Sequence, residues 1–521
     1  MHISLLDTDN RWAWGSRILS SVLKKHGHQV RIVCMCTDNA AYSSEELKQV
    51  RELVKDSAVL GISCCSGGSE RAKQILQTVG SDSQIKVWGG IHATLNPEEC
   101  TSFADVVCLG EGEGMIADLV ERLESGADWR SVSNAAYKRD GLLVRNPIRP
   151  LVGNMDELPR LDFSCTDEFH LSDRALVRRT DVTDLAMEEI PFVSSRGCVF
   201  RCTYCCNAKL KKVYDGAGYY VRKHSIAECV DRVAELHNEH FEKAKYIFFV
   251  DDDFLDRKIG ELQEFAENFP RKVGLPFECN VSPLRVNAEK IEALVKAGVW
   301  RIRMGVESGS ERTKREVYDR AMPNAAVEKA SHVLSRHPKV VRAYYFIIGN
   351  PFEEREDLLE TIRLVLRLPA PFFVQVFNLI FFPGSTLYDR GVSAGLIHGK
   401  ADSGFDLQYR GGLKYDSHAW KTKNLYLNGL MFMMEGKITR MRLGALPRVL
   451  LPLLLRPSFV AFNERHLALA KAMIWVKMKF LKVRTKVGTT VKRVFPHPEA
   501  IYSPGLFIRN SFRQMFALGR S

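Results

Sequence analysis

A chain of 521 residues, 45% hydrophobic and 26% charged, with no low-complexity tract or clear internal repeat, is globular and too long for one ordinary domain. Thirteen cysteines follow an N-terminus, Met1-His2-Ile3-Ser4-Leu5-Leu6-Asp7, that has no basic segment before its apolar stretch. This argues against an export signal and for reduced thiols in the cytoplasm. The net charge of +12 is uneven: from Lys437 onward 17 Lys and Arg face only Glu464 and Glu499, so the first 436 residues carry about −3.

The opening 120 residues alternate strand and helix patterns. Met1–Leu6, Gln29–Cys34, Ala58–Ser63, Lys86–Trp88 and Asp105–Leu109 read as strands, with helices over Arg17–His26, Ser44–Lys55 and Glu70–Val79. That alternation predicts a doubly wound, Rossmann-like parallel sheet over residues 1–125. Residues 126–190, with Pro147, Pro150 and Pro159, read as a linker. From Ile190 the alternation restarts. Phe192–Ser195, Lys245–Val250, Phe277–Val281, Arg301–Val306, Val341–Ile348 and Phe373–Phe381 are six further strands. They fit a partial or full parallel β/α barrel over 191–390, with its site at the carboxyl ends of the strands. Residues 391–521 are left as a basic, mainly helical C-terminal extension.

The loop after the first of these six strands reads Ser195-Arg196-Gly197-Cys198-Val199-Phe200-Arg201-Cys202-Thr203-Tyr204-Cys205-Cys206. Three cysteines spaced C-x3-C-x2-C can wrap one iron–sulfur cube, and three thiolates on four irons leave one coordination position open. A zinc site more commonly shows two separated pairs, and Cys229 and His224 are the only modest candidates for a second. With Tyr204 as its aromatic position, the loop resembles the signature of radical S-adenosylmethionine (SAM) enzymes. Phe248–Phe254 with Asp251, Asp252 and Asp253, Gly305–Ser310, Phe346–Pro351 and Phe382–Tyr388 are similar to that family's later strand ends, in the same order. The resemblance implies that Cys198, Cys202 and Cys205 hold a [4Fe-4S] cluster whose open iron binds SAM. A reducing electron donor then drives cleavage to a 5′-deoxyadenosyl radical. It implies SAM contacts at Glu307 and Ser308, and adenine packing at Ile348 and Gly349. Cys206 and Cys279 read as buried thiols.

The first sheet presents Gly61-Ile62-Ser63, Gly89-Gly90-Ile91 and Gly110-Glu111-Gly112-Glu113 where strands end. Glycines there let backbone approach a large ligand, although ordinary strand–helix turns use them as well. In order and spacing they resemble the cobalamin-binding domain that precedes many radical SAM barrels. The resemblance places Ser63, Gly89 and Gly90 beside the nucleotide tail, with Gly110, Glu111 and Gly112 in the closing loop. One departure is plain: Asp7, Asp9, Trp12, Trp14 and Gly15 follow the first strand, and the histidine that ligates cobalt in other cobalamin proteins is missing. Trp12 or Trp14 is positioned to cover the lower face, or to fill the core.

In the extension, Leu446–Leu455 is apolar but far shorter than a bilayer span. Ala468–Val494 mixes apolar residues with eight Lys and Arg, an interfacial pattern suited to peripheral contact with the inner face of the membrane. Nucleic acid is disfavoured because no reading module accompanies the charge. Together the resemblances imply a cobalamin-dependent radical SAM methyltransferase acting on a small-molecule or lipid-like substrate. Alternatives are anaerobic oxidative ring closure on a tetrapyrrole, as in magnesium-protoporphyrin ester cyclase, and a non-catalytic cobalamin sensor.

Overall fold

The computed structural model describes residues 1–9, 12–37, 41–180, 188–398, 423–466 and 468–473. The chain forms two compact units. Of the described residues, the first unit takes those within 1–190, 194–245 and 381–398, and the second those within 191–193, 246–380 and 423–473.

The first unit is built on nine strands: β1 (His2–Asp7), β2 (Gln29–Cys34), β3 (Val59–Ser63), β4 (Ile85–Gly89), β5 (Val106–Cys108), β6 (Ala135–Arg139), β7 (Leu142–Arg145), β8 (Glu168–Ser172) and β9 (Ala175–Arg179). Their spatial order is β7-β6-β5-β4-β3-β1-β2-β8-β9. The six from β5 to β8 run parallel. Alternate side chains of these strands serve opposite faces. Ile3, Leu5, Val30, Val59 and Val87 pack with Leu23, Met115, Ile116 and Leu119 of helices Trp14–Lys25 and Glu113–Ser125. Leu6, Val33, Leu60, Ile62 and Trp88 pack with Leu47, Val50, Ala72 and Ile75 of helices Ser44–Val54 and Ser69–Thr78. Ser43 starts the first of the latter pair with a reciprocal cap: its Oγ accepts from the Glu46 N–H at 3.3 Å while its own N–H donates to the Glu46 carboxylate at 2.6 Å.

The expected doubly wound sheet is therefore present, but its expected linker is not a linker. Residues 126–190 supply β6 and β7 at one edge and β8 and β9 at the other. A buried ion pair holds the second edge. The Arg17 guanidinium forks onto both oxygens of Glu168, at 2.8 and 2.6 Å, and His170 Nε2 lies 2.6 Å from one of them.

Next in the chain come β10 (Glu189–Phe192) and a short ribbon of β11 (Ser195–Arg196) against β12 (Arg222–Lys223). The second unit carries β13 (Tyr246–Phe249), β14 (Phe277–Val281), β15 (Val299–Glu307), β16 (Val341–Ile348) and β17 (Phe372–Asn378), followed by β18 (Gly436–Ile438), β19 (Arg442–Leu443) and β20 (Leu446–Pro447). The order is β10-β13-β14-β15-β16-β17-β18-β19-β20, with β13 to β17 parallel and β18 to β20 antiparallel. Five of the six expected strands are found in sequence order; the first, expected over Phe192–Ser195, lies earlier, as β10 over Glu189–Phe192. The barrel is partial, because β17 pairs with β18 and not with β10. A buried apolar helix, Leu425–Met434, belongs to this unit.

Candidate functional site

The three spaced cysteines lie in the loop between β11 and helix Asn207–Val213. Cys202 is buried, Cys198 and Cys205 are half-buried, and no disulfide joins any described cysteine. The loop is tightly folded on itself. Gly197 adopts φ +86°, and a Cβ there would run into the Tyr220 carbonyl, so only glycine fits. The Cys205 N–H donates to the Cys202 carbonyl at 3.0 Å. Asn207, buried at the helix start, donates from Nδ2 to the Cys205 sulfur at 3.6 Å. From the other side the Leu387 N–H donates to the Thr203 carbonyl at 2.8 Å. Leu387 lies in the Phe382–Tyr388 motif, where Ser385 caps helix Thr386–Ser393 by accepting from the Tyr388 N–H. Three thiols on a partly open loop, braced by these contacts, fit a cluster with one uncommitted iron. Cys206, half-buried, precedes the helix, while Cys279 and Cys229 are fully buried. His224 pairs with Asp156, 3.0 Å from Nδ1, and among the described residues no metal-ligating group includes it or Cys229.

At the carboxyl edge of the first sheet, Ser63 lies between Asp7 of β1 and Gly89 of β4 in register. Gly90 has φ +92°, and a Cβ there would meet the Cys64 carbonyl at 2.6 Å and the Ser63 hydroxyl at 3.2 Å. A Cβ on Gly15 would meet the same hydroxyl at 3.3 Å. The backbone at Gly15 and Gly90 thus closes directly on Ser63, where a side chain would intrude, and glycines at this strand edge are the residue type that lets main chain approach a large ligand. Gly110, at φ +84°, abuts the Tyr214 ring, and its N–H donates to Thr94 Oγ1 at 2.9 Å. Glu111 is committed elsewhere: its carboxylate reaches Arg196 at 3.1 Å and Arg222 at 2.6 Å. Burial alone would raise this carboxyl, but the bonds from Arg222 and the charge of Arg196 hold it below the ordinary carboxylate range. Trp12 is buried against Phe241 and Phe163, with ring centroids 4.8 and 6.1 Å away, a core position; Trp14, half-buried, lies 6.2 Å from Trp12.

The donor atoms of Cys34, Glu168 and His170 also lie within 4.8 Å of one another. Arg17 already holds both Glu168 oxygens, and its charge opposes a cation there.

In the second unit, Glu307 closes β15 with φ +68°. Burial pushes its carboxyl up, while Arg320 pulls against that shift. Arg320 Nη2 donates to the Gly305 carbonyl at 2.9 Å. Ser308 is buried and turns its hydroxyl inward, to the Glu353 carboxyl at 3.0 Å and Thr361 Oγ1 at 3.2 Å. Its side chain therefore shapes the strand-end loop from within. Ile348 is buried at the end of β16, and Gly349 follows at φ +71° with its N–H donated to Asn428 Oδ1 at 2.9 Å. Asp251 and Asp253 are buried and internally bonded, to Arg257 at 3.3 Å and to Ser282 Oγ at 2.6 Å. Asp252 alone is exposed. Glu353, Asn428 and Asn207 escaped the sequence reading. Their only local signal is polarity next to a motif.

The radical SAM superfamily matches residues 192–365, and the B12 binding domain matches residues 13–120. The chain is 25% identical over 401 residues to an uncharacterized methyltransferase of Pyrococcus horikoshii, covering 74% of this chain and 79% of the relative. It is 23% identical over 357 residues to the bacteriochlorophyllide d C-8(2)-methyltransferase of Chlorobaculum tepidum, covering 66% and 70%. Among solved structures, the radical SAM methyltransferase TsrM from Kitasatospora setae superposes with a TM-score of 0.60 at 14% identity, over 76% of this chain and 77% of that one. The cobalamin-dependent SAM radical enzyme OxsB gives 0.62 at 15% identity, over 99% and 83%.

Proposed function

We propose, for a chain that belongs to the cobalamin-binding radical SAM enzymes, that it moves the methyl group of SAM onto an unactivated carbon of a hydrophobic small molecule. The observation that carries the reading is the presence, in one compact unit, of a three-thiol loop and a glycine-framed strand edge. Together the [4Fe-4S] cluster, SAM and cobalamin supply a low-potential electron, a radical source and a methyl carrier when bound.

The chain's own residues have definable tasks. Cys198, Cys202 and Cys205, as thiolates, would hold the cluster, and the Asn207 amide would lower the charge density on the Cys205 sulfur. Tyr204 would pack beside them. Ser63, Gly89, Gly90, Gly110 and Gly112 would form the cobalamin cradle. Glu307 would bind SAM through its carboxyl, and the Ser308 loop and the Ile348–Gly349 backbone would shape the SAM pocket. An electron donor docks from outside the chain. Named methyltransferases among the relatives favour methyl transfer over ring closure, and the three-thiol loop argues against a sensor.

Protein purified anaerobically with both cofactors, given SAM and a reductant, should release 5′-deoxyadenosine and S-adenosylhomocysteine. Alanine at Cys198, Cys202 or Cys205 should cut 5′-deoxyadenosine at least about 100-fold, since each removes a direct cluster ligand. An intact cluster that yields neither product would refute the reading.

A further inference from the structure

The ribbon of β11 and β12 sets Arg196 directly opposite Arg222. Like charges so placed repel. The loop after β5 resolves the conflict: Glu111 accepts from Arg222 at 2.6 and 3.1 Å and pairs with Arg196 at 3.1 Å, while Glu113 takes the other edge of Arg196 at 2.6 Å. All four residues belong to the first unit. Two arginines and two carboxylates balance, and the Arg222 side chain is only 4% exposed.

Contacts continue from this cluster toward two of the thiols. Arg196 is separated from Cys198 only by Gly197, which is pinned against the Tyr220 carbonyl. Arg222 Nε donates to that carbonyl at 3.5 Å, and the Tyr220 hydroxyl donates to Asn207 Oδ1 at 2.5 Å. Asn207 in turn donates to the Cys205 sulfur. The Gly110–Glu113 loop is therefore linked to both ends of the cysteine loop.

We propose that Arg196, Arg222, Glu111 and Glu113 form a positioning clasp that makes the loop closing the cobalamin cradle and the loop bearing the cluster a single rigid body. The proposal rests on the function given above and deepens it. Buried ion pairs add little net stability, and their best-attested use is to fix register. Methyl handover depends on the mutual alignment of two sites, and a misplacement of about 1 Å costs up to about 100-fold. Reductive cleavage of SAM would use the cluster, its electron donor and the SAM pocket but not the cobalamin cradle, so loosening the clasp should unbalance the two reactions.

The test uses full-length protein carrying both cofactors: wild type, Arg222→Gln, Arg222→Lys and Tyr220→Phe. Iron and cobalamin are assayed first. S-adenosylhomocysteine and 5′-deoxyadenosine are then measured in a single turnover with SAM and reductant. Arg222→Gln should keep both cofactors and its 5′-deoxyadenosine rate, while the ratio of S-adenosylhomocysteine to 5′-deoxyadenosine falls about tenfold. Arg222→Lys, which keeps the charge without the fork, should fall between. An unchanged ratio in cofactor-loaded Arg222→Gln overturns the clasp. Should that variant lose its cofactors, Tyr220→Phe decides. It removes one O–H and should shift the midpoint potential of the cluster, read by electron paramagnetic resonance, at constant cobalamin content; an unmoved potential overturns the proposal. Wild-type protein that forms 5′-deoxyadenosine but no S-adenosylhomocysteine would refute methyl transfer instead, and the Tyr220→Phe potential would still decide the clasp.

Discussion

Glu353 shows how one carboxyl can report on the loop after β15. It is buried, and burial pushes its carboxyl up to about 8 against the bond from Ser308. The folded protein therefore keeps a proton that the unfolded chain releases above its ordinary value of 4.5. Stability should fall as pH rises from about 4.5 to about 8 and level off beyond, because the folded state binds more protons across that window. Glu353→Gln keeps the acceptor for Ser308 and carries no charge. Its Tm relative to wild type should be higher at about pH 8.5 than at about pH 5; thermal melts at both values check this, and an offset that does not change with pH refutes it. The cysteine loop was legible because its chemistry is packed into eight consecutive positions. Glu353 was not, because its partner Ser308 lies 45 positions away, and Arg222 is 111 positions from Glu111. Spacing along a chain says nothing about such encounters until the fold brings them together.

Among the elements, helix Leu425–Met434 acts as a latch. Asn428 accepts from the Gly349 N–H, Asn424 Nδ2 donates to the Glu353 carbonyl at 2.9 Å, and Lys423 donates to the Pro351 carbonyl at 3.0 Å. Three side chains thus hold the turn after β16 from one side. Asn428→Ala removes the acceptor of the half-buried Gly349 N–H, at a cost of about 1 kcal/mol. It should raise the KM for SAM about tenfold or more while iron content stays unchanged; steady-state 5′-deoxyadenosine kinetics with an iron assay test it. The apolar character of this helix was visible in the sequence, but its role was not, since polar residues in an apolar run show no partner. Strands β1 to β5 and β13 to β17 were readable because each is a β-branched or aromatic run bounded by turns. Strands β6 to β9 form the outermost pair on each side of the sheet, with β7 and β9 at the edges, and short, mixed sequences such as Leu142–Arg145 and Ala175–Arg179 show no clear alternation.

At the scale of the whole molecule, basic charge and exposed apolar surface meet near the end of the described chain. Met441 and Val449 are 79% and 81% exposed, Phe462 and Leu453 are also exposed, and Arg440, Arg442, Arg448 and Arg456 lie among them. No helix among the described residues is long and apolar enough to cross a membrane. Most of the expected interfacial stretch, Ala468–Val494, lies outside the described residues. We read residues 440–462 as a peripheral contact for an anionic bilayer. The protein should co-float with anionic vesicles at low salt and be released by about 0.5 M salt, as screening weakens each basic contact of about 1 kcal/mol. Val449→Asp with Leu453→Asp should reduce flotation several-fold, and flotation that ignores both changes would dismiss the surface. The latch carries one more consequence, for synthesis. Asn428 leaves the ribosome 79 positions after Gly349, roughly 4–16 s later at about 5–20 residues per second. Through that interval the turn after β16 waits for a partner not yet translated, so a nascent polypeptide halted before Asn424 would have every strand from β13 to β17 and still lack the side chains that fasten this turn.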